Sequence, residues 1–582
     1  MPSLIVQALT CLSLTAGAEA RHPNVVVILA DDQGWGDLSL NGNQSLRTPH
    51  IDSLATDGAR FDRFFVQPVC SPTRAEFLTG RWHPRGGVRG VSTGAERLDL
   101  DESTIAEAFS TAGYATGCFG KWHNGSQHPY HPNSRGFAEY YGFTSGHWGE
   151  YFNPSLDHNG QAVRGTGYLV DDLTDRAIAF LTTNAAVGRP SFCFLALNTP
   201  HSPMQVPQEY WSRFKNAAVV PSGARGENLD HTRAALAMCE NIDHNVGRLL
   251  SALQARGIEK DTLVVYFSDN GPNGPRWNGG MKGRKGSIDE GGVRSPLLMR
   301  WPGKIKPGTM VTPIAGAVDL SPTLLDLANV MRVGNKPLDG LSLKPWLIGE
   351  AKPTPDRVLF QHWAGRTSAR SQRFRLDPEG RLYDLATDPG QNKDVASNHS
   401  AEAERLREAV AGWKREVLAE SSRPDARPFP FGGFVRTVLP ARDGVPRGGV
   451  KRSAPAPNCS FFTHWTTSDD RMTWDVETLA AGRYEAIVHY NCSAADVGAT
   501  LELTLGSTKW IGDIKVPYDP PLRGMKEDRT PRQGESYVKD FRPLSLGTAE
   551  LGVGRGTLTL RATRVAGKMI ADVRAIELIK RD

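Results

Sequence analysis

The chain has 582 residues, of which 23% are charged and 39% hydrophobic, and its formal net charge is +5 at neutral pH. This length is enough for a large core and more than one domain, and the composition is that of an ordinary globular protein. The positive excess is small and scattered, so it does not indicate nucleic-acid binding, which requires a concentrated basic surface. We therefore expect no nucleic-acid partner.

Residues 1–20 are predicted to form a signal peptide. An apolar run ends in Ala18-Glu19-Ala20, which fits an A-x-A cleavage site, although no Lys or Arg precedes the run. The alternative is an ordinary buried N-terminal segment. No later apolar run is long enough to span a bilayer, so no transmembrane segment is expected. We expect an exported protein in a periplasmic, secreted or lysosome-like compartment.

Four short apolar runs in the first 270 residues are predicted to be buried strands. They cover residues 24–30, 115–119, 191–197 and 262–267. Helical patterns separate them, including one with a capping box at Thr104 and another from Asp230 to Leu253. This alternation predicts an α/β fold with a mostly parallel sheet flanked by helices.

Polar residues follow each of the four predicted strands. In parallel sheets ligands bind outside the carboxyl ends of the strands, so these side chains should meet at one edge. They are Asp31, Asp32, Lys121, His123, His201, Asp269 and Asn270. Adjacent carboxylates after a core strand favour a hard divalent cation with oxygen ligands. Taken singly, each residue could equally belong to a solvated turn; their common placement predicts a site.

The segment Cys70-Ser-Pro-Thr-Arg74 predicts a helix that begins at a reactive side chain. Pro72 fits the first turn of a helix, and a helix N-terminus favours an anion. Arg74 would lie one turn after Cys70 on the same face. Alone, this pattern is as typical of a buried cysteine before a helix.

Together these segments resemble the type I formylglycine-dependent sulfatases, the arylsulfatase-like members of the alkaline phosphatase superfamily. The resemblance covers about residues 22–420 and rests on Asp31-Asp32, Cys70 to Arg81, Gly120-Lys-Trp-His123, Pro200-His201, Ser268-Asp-Asn-Gly271 and Lys285-Gly286. Lys285 matches the family's last lysine better than Lys282 does, because Glu290 to Pro296 follow it. The resemblance implies a sulfatase α/β domain over residues 21–350 and a smaller α+β subdomain over 351–420.

The resemblance implies that Cys70 is the precursor of the nucleophile. A maturation enzyme would oxidise it to formylglycine (3-oxoalanine). It also implies a calcium ion, with Mg²⁺ less favoured, that contacts the modified Cys70. The implied protein ligands of this ion are Asp31, Asp32, Asp269 and Asn270.

The resemblance further implies a sulfate-binding and proton-transfer set. Three cations, Arg74, Lys121 and Lys285, would neutralise the sulfate. Asp269 would serve as base for the attacking hydroxyl, His201 with Lys285 would protonate the departing oxygen, and His123 would accept a proton from the second hydroxyl. Lys121, His201 and Lys285 would therefore bind substrate as well as act in catalysis.

The C-terminal third changes character. Residues 421–457 are rich in Pro and Arg and are predicted to be an extended linker, either a surface strap or a cover over the catalytic face. Residues 458–582 alternate like short strands and predict an all-β sandwich, similar to modules attached to glycan-active enzymes. Its Trp465, Trp474 and Trp510 would stack on sugars or fill the core, and Cys459 and Cys492 could pair.

The leading hypothesis is a sulfuric ester hydrolase, with a sulfated carbohydrate as the expected substrate because of the appended β region and the predicted export. One alternative is a phosphonate or phosphate ester hydrolase on the same scaffold. Another is a catalytically dead glycan-binding protein, against which the complete set of candidate catalytic residues argues.

Overall fold

The computed structural model describes residues 22–350, 352–419 and 425–581. The predicted signal peptide, residues 1–20, lies outside these ranges. Among the helices of the described ranges, none is both long enough and apolar enough to cross a membrane.

A ten-stranded mixed sheet forms the centre of the molecule. Its five middle strands are parallel, and an antiparallel pairing on each side joins further strands to them. In spatial order the strands are Thr309–Val311, Ala59–Phe61, Leu297–Arg300, Thr262–Ser268, Asn24–Asp31, Ser191–Pro200, Ala115–Lys121, Glu139–Phe143, Ser155–His158 and Gln161–Arg164. The four predicted strands are all among the parallel ones, which confirms the predicted α/β fold.

Helices cover both faces of this sheet. They are Pro49–Thr56, Cys70–Thr79, Ile105–Thr111, Leu169–Ala186, Gln208–Phe214, Leu229–Ala255, Glu290–Val293, Leu320–Ala328 and Lys344–Leu347. Alternate residues of the strand Asn24–Asp31 point to opposite faces, as the pleat of a strand requires. Val26 and Ile28 therefore pack in one core, and Val25 and Val27 in the other. Burial on both faces explains the unbroken apolar run.

A smaller α+β unit follows the large sheet. Its four-stranded antiparallel sheet consists of Leu359–Trp363, Arg366–Arg370, Phe374–Leu376 and Leu382–Asp384, and the helix Ser400–Val417 packs on it. A three-stranded sheet of Arg294–Ser295, Phe64–Phe65 and Ala315–Gly316 lies near it. Phe65 and Val293 share an apolar cluster with this unit, which is thereby joined to the catalytic region.

Residues 425–581 form the β-sandwich. One sheet contains Phe429–Phe431, Arg471–Thr478, Gly554–Arg564, Thr500–Leu505 and Thr508–Asp513, with Val445–Arg447 paired to it. The other contains Lys451–Arg452, Phe462–Thr463, Asp572–Arg581, Gly482–Asn491 and Arg542–Leu551, with Arg436–Pro440 paired to it. The predicted all-β architecture is confirmed.

The structure differs from the linker prediction. The described part of residues 421–457 contributes short strands to both sheets, so it belongs to the β-sandwich. Its prolines are tolerated because Pro430 is on an edge strand and Pro440 ends one. Its arginines are not all solvated: Arg447 is exposed, but Arg442 is buried and donates to Ser126 of the central α/β region.

For the tryptophans and cysteines of the β-sandwich, the structure decides between the alternatives in favour of core tryptophans and unpaired cysteines. Trp465, Trp474 and Trp510 are at most 2% exposed and belong to its core, so they present no face to a sugar. Cys459 and Cys492 are both free thiols, and the Cys459 thiol donates to the carbonyl of His147 at 3.2 Å instead.

Candidate active site

The carboxyl ends of two neighbouring parallel strands bring four oxygen-bearing side chains together. The pairing of Ala30 with Ser268 aligns the strand ends, so Asp31 and Asp32 lie beside Asp269 and Asn270. The Asn270 amide donates to Asp32 at 2.8 Å, and the backbone N–H of Asp32 donates to Asp269 at 3.2 Å. All four side chains are buried. Asp32 has a φ of 68°, a costly conformation for a non-glycine residue that is typical of functional sites.

Two of these buried oxygens have no hydrogen-bond partner among the described residues. They are Oδ1 of Asp31 and Oδ1 of Asn270. Ligand atoms of Asp31, Cys70 and Asp269 lie within 4.8 Å of one another, and so do those of Asp31, Asp32 and His201. A hard divalent cation would satisfy unpaired carboxylate and amide oxygens of this kind. The donor set therefore fits a calcium-type ion.

Cys70 begins the buried helix Cys70–Thr79, as predicted. The hydroxyl of Thr73 anchors the first turn by donating to the carbonyl of Asp269 at 2.6 Å. Burial raises the pKa of the Cys70 thiol, which opposes its ionisation despite the nearby lysines. An unmodified Cys70 would consequently be a protonated thiol and a poor nucleophile.

Three cations balance the buried carboxylates. Arg74 donates from Nε and Nη2 to one oxygen of Asp269 at 3.1 and 2.9 Å. Lys121 donates to Asp31 at 2.6 Å, and Lys285 lies 2.7 Å from Asp32. Each cation thus has its own carboxylate, and a sulfate beside them would meet all three positive charges.

Lys285 and Lys282 have different surroundings. The backbone of Lys285 is held in place by a hydrogen bond to the carbonyl of Pro272 at 3.0 Å, and its side chain reaches the site. Lys282 instead lies over the ring of Tyr383, with its Nζ 6.0 Å from the ring centroid. Of the two lysines, Lys285 is therefore the one at the site.

The two predicted histidines present different nitrogens. His201 hydrogen-bonds through Nδ1 to the carbonyl of Ser202 at 2.7 Å, and its Nε2 lies 3.6 Å from Asp32. His123 donates from Nε2 to the carbonyl of Val91 at 2.8 Å, which leaves its buried Nδ1 as an acceptor without a partner among the described residues. His123 also has a φ of 66° and forms no hydrogen bond to the other site residues, so it lies one step outside their network.

Burial and charge tune the acid–base groups in opposite directions. Burial and the nearby Asp31 raise the pKa of Asp269 to about 6. Burial also acts to raise the pKa of Asp32, but Lys285, His201 and Lys121 outweigh it and hold this pKa below its usual range. Burial and Lys285 lower the pKa of His201 to about 4. The pKa of Asp269 is thus close to neutral pH, whereas Asp32 stays ionised.

His147 is a site residue that the sequence reasoning missed. Its ring stacks on that of His201, with centroids 5.9 Å apart and planes 22° apart. It follows the parallel strand Glu139–Phe143, so the rule that polar residues after strand ends form the site applies to it as well. The strand itself was not predicted, because Glu-Tyr-Tyr-Gly-Phe lacks a β-branched run.

The β-sandwich reaches the rim of this site. Ser202, next to His201, donates to Glu535 at 2.6 Å. Gln205 donates to Asp528 at 2.7 Å, and Cys459 contacts the loop that carries His147. The loops on either side of the stacked histidines are therefore held partly by the C-terminal region.

Comparisons with known proteins identify the family. Residues 23–330 match the model of the Sulfatase family, and residues 284–413 match that of the N-sulphoglucosamine sulphohydrolase C-terminal region. The chain belongs to the sulfatase family. The β-sandwich lies beyond both matches.

Curated relatives and a solved structure support the assignment. This sulfatase is 30% identical over 441 residues to N-acetylgalactosamine-6-sulfatase of Mus musculus, covering 68% of this chain and 81% of that protein. It is 32% identical over 475 residues to arylsulfatase A of Homo sapiens, covering 70% and 88%. The structure of Ps i-CgsB in complex with k-i-k-neocarrahexaose aligns with a TM-score of 0.61 at 29% identity, covering 69% of this chain and 98% of that one. The enzyme is a sulfuric ester hydrolase.

Proposed function

We propose that this sulfatase removes sulfate from a sulfated carbohydrate, using a formylglycine made from Cys70 and a bound calcium ion. The observation that carries the proposal is the placement of Cys70 at the start of a buried helix, with two unpaired oxygens and three cations around it. A cysteine with only a packing role would not need this set of charges. The proposed catalytic role also accounts for the strained backbone of Asp32 and His123.

Four side chains would hold the calcium ion: Asp31, Asp32, Asp269 and Asn270. When bound, the ion supplies a fixed positive charge that polarises a sulfate oxygen. Calcium is favoured over magnesium because it accepts irregular sets of protein oxygens, whereas magnesium keeps an octahedral shell with several waters. The site residues are buried and leave little room for such a shell.

The formylglycine supplies a hydrated aldehyde, which has the oxygen nucleophile that a protonated thiol lacks. Lys121, Lys285 and Arg74 would orient the sulfate and offset the charge that builds up on its oxygens in the transition state. Asp269, within reach of Cys70, would accept the proton of the attacking hydroxyl.

The two histidines would move protons at opposite sides of the sulfate. Because Nδ1 of His201 bonds to a backbone carbonyl, only the protonated ring carries a proton at Nε2 as well. An anionic sulfate next to that ring favours the protonated form, which can then donate to the departing oxygen. His123 has the complementary arrangement, since its free Nδ1 is an acceptor and can take a proton.

Two findings favour a carbohydrate substrate. The neighbour Ps i-CgsB was solved with a neocarrahexaose, and the mouse relative is named for N-acetylgalactosamine 6-sulfate. A panel of defined sulfated sugars, with release of inorganic sulfate as the readout, tests this proposal. Turnover of at least one sulfated sugar, with a kcat/KM above that for 4-nitrophenyl sulfate, is expected; turnover of the aryl ester alone would contradict it.

The same proposal includes export to a periplasmic, secreted or lysosome-like compartment. It also includes maturation by a formylglycine-generating enzyme. Both follow from the sequence, the first from residues 1–20 and the second from Cys70 to Arg74. N-terminal sequencing of the mature protein tests the export, with a start near residue 21 as the expected result and an intact Met1 as the contrary one.

A further inference from the structure

The β-sandwich and the catalytic region enclose two adjoining cavities, of about 200 and 370 Å³. Eight residues line both of them in the central part of this interface: Thr144, Trp148, Asp157, Arg436, Val438, Cys459, Arg574 and Ala575. We call the two cavities together the interdomain cleft. The wall of the cleft that the catalytic region forms belongs to residues 23–330, which the Sulfatase family model matches. The wall that the β-sandwich forms lies beyond those residues.

The charges in the interdomain cleft are largely paired with one another. Asp157 lies 3.3 Å from His131, and Arg436 pairs with Glu577. Arg523 pairs with both Glu150 and Asp540 at 3.1 and 2.8 Å. The remaining cations have partners too: Lys539 with Asp519 and Asp572, Arg442 with Asp443, and Arg164 with Glu150 at 3.9 Å.

Arg574 is the exception. In residues 22–350, 352–419 and 425–581 its side chain forms no hydrogen bond, and no carboxylate lies within ion-pair distance of the guanidinium. Glu150, which is paired with Arg523, interacts with it only at longer range. Its side chain is partly buried on the strand Asp572–Arg581 and lines both cavities. A guanidinium has five donors in a planar fork that matches a sulfate or carboxylate. The guanidinium nitrogens of Arg574 are not among the buried unpaired atoms, so they face the open space of the cleft and can bind an anion there.

Trp148 adds a sugar-sized apolar surface beside this cation. It is only partly buried, and its ring stacks on Phe143 with centroids 5.2 Å apart. An aromatic face with convergent polar groups is the usual form of a pocket for a polar ring. Trp148, unlike the three tryptophans in the β-sandwich core, thus presents part of its ring to the interdomain cleft.

The interdomain cleft is one loop away from the active site. Residues 144–150 connect them: Trp148 lines the cleft, and His147 stacks on His201. Gly146 of this loop is packed closely against Asn458 and His123. A Cβ added to Gly146 would lie 2.5 Å from Nδ2 of Asn458 and 2.5 Å from Nε2 of His123. Asn458 also lines the smaller cavity. A single loop thus separates the interdomain cleft from the candidate active site.

We propose that Arg574 and Trp148 form a subsite for a second anionic sugar of the substrate, which makes the enzyme selective for polyanionic glycans. This inference rests on the proposed function, because it assigns the substrate of that site to a narrower class. The second anion is a sulfate or a carboxylate on a sugar other than the one that loses its sulfate. Arg574 would bind it bidentately while the sugar ring lies against Trp148.

The test measures binding and turnover of tetrasaccharides that carry one or two anionic groups, in a carrageenan and a heparin series. In the parent enzyme we expect a disulfated member of one series to bind more tightly than its monosulfated counterpart. Arg574→Gln should raise the Kd for that disulfated sugar about tenfold and remove most of the difference between the two. The matched control is Arg555→Gln, since Arg555 is a 63% exposed arginine of the same β-sandwich; it should behave as the parent.

Binding is measured by calorimetry on protein that carries Cys70→Ala, so that no turnover occurs and the result is independent of hydrolysis. A parent that binds mono- and disulfated sugars equally in both series overturns the proposal, as does an Arg574→Gln variant that keeps the parent's preference. Failure of the proposed function would be seen separately, as an absence of sulfate release by the mature enzyme. Trp148→Phe, which keeps a ring against Phe143, should retain most of the affinity, whereas Trp148→Ala should lose it.

Discussion

The active site and the interdomain cleft are both rich in charge, but the first leaves hydrogen-bond acceptors without a partner and the second leaves a donor. At the strand ends every cation has a carboxylate, and Oδ1 of Asp31 and Oδ1 of Asn270 are left without a partner. In the cleft each carboxylate has a cation or a histidine, and Arg574 is left. The unpaired group predicts a bound cation in the first region and a bound anion in the second. The net charge of each region would not show which kind of ion it binds.

The largest effect is expected at Cys70. Cys70→Ala removes the thiol whose oxidation gives the aldehyde, so no formylglycine can form and we expect kcat/KM for 4-nitrophenyl sulfate to fall at least about a thousandfold. Cys118→Ala is the control, because Cys118 is another buried cysteine, on the strand Ala115–Lys121, with no role at the site. A Cys70→Ala enzyme with full activity would sink the proposed chemistry.

The next effect concerns tryptophans in the two regions. Trp474 is fully buried, and its indole N–H donates to Pro440 at 3.0 Å, so Trp474→Ala should destabilise the β-sandwich by about 3–5 kcal/mol. Trp148→Ala should cost less, because Trp148 is already partly exposed. Chemical denaturation followed by tryptophan fluorescence measures both. If Trp474→Ala left stability unchanged and weakened sugar binding instead, the assignment of Trp148 as the sugar contact would be wrong.

Asp31 tests the unpaired oxygens at the strand ends. Asp31→Asn keeps the shape but removes a charge, and we expect the calcium affinity to fall about 10–100-fold. Calorimetric titration of calcium into metal-free protein measures this, and excess calcium should restore part of the activity. Asp57→Asn, at a 55% exposed aspartate, serves as the control. Equal calcium affinities for the parent and the Asp31→Asn variant would exclude Asp31 as a ligand.

Glu577, on the cleft side of the β-sandwich, should make the stability of this region depend on pH. Burial acts to raise its pKa, but hydrogen bonds from His489 and Arg436 outweigh it and lower the pKa from 4.5 to about 2. Because the folded-state pKa is depressed, this stabilisation is fully present above about pH 4.5 and is lost as the pH falls toward 2. The stability gap between the parent and Glu577→Gln should therefore shrink over that window in pH-dependent unfolding. A gap that stayed constant would contradict the ion-pair assignment.

The smallest effect compares a paired and an unpaired arginine. Arg523→Gln leaves Asp540 without its cation and Glu150 with only Arg164 at 3.9 Å, so we expect a loss of about 0.2–1 kcal/mol, seen as a slightly lower Tm. Arg574→Gln removes no pair and should not lower the Tm. The reverse order would show that Arg574 has a structural partner and weaken the case for an anion subsite.

The central sheet was predictable because its parallel strands are buried on both faces and therefore read as short apolar runs, such as Val25 to Leu29. The site followed from the same rule, since polar residues after such strands must meet at one edge. His147 escaped because its strand is short and aromatic. The C-terminal region was less predictable, because proline and arginine content does not show that a segment such as Arg436–Pro440 will pair at a sheet edge. Nor does sequence show which tryptophan faces a core and which a cavity.

The mass of the tryptic peptide from Phe64 to Arg74 tests the central claim most directly, because that peptide contains Cys70 alone among the cysteines. The enzyme should be produced together with a formylglycine-generating enzyme and its specific activity measured on the same sample. The account predicts that the peptide carries an aldehyde in place of the thiol, and that activity rises in proportion to the converted fraction. A fully active enzyme whose Cys70 peptide has the mass of the unmodified thiol would contradict it.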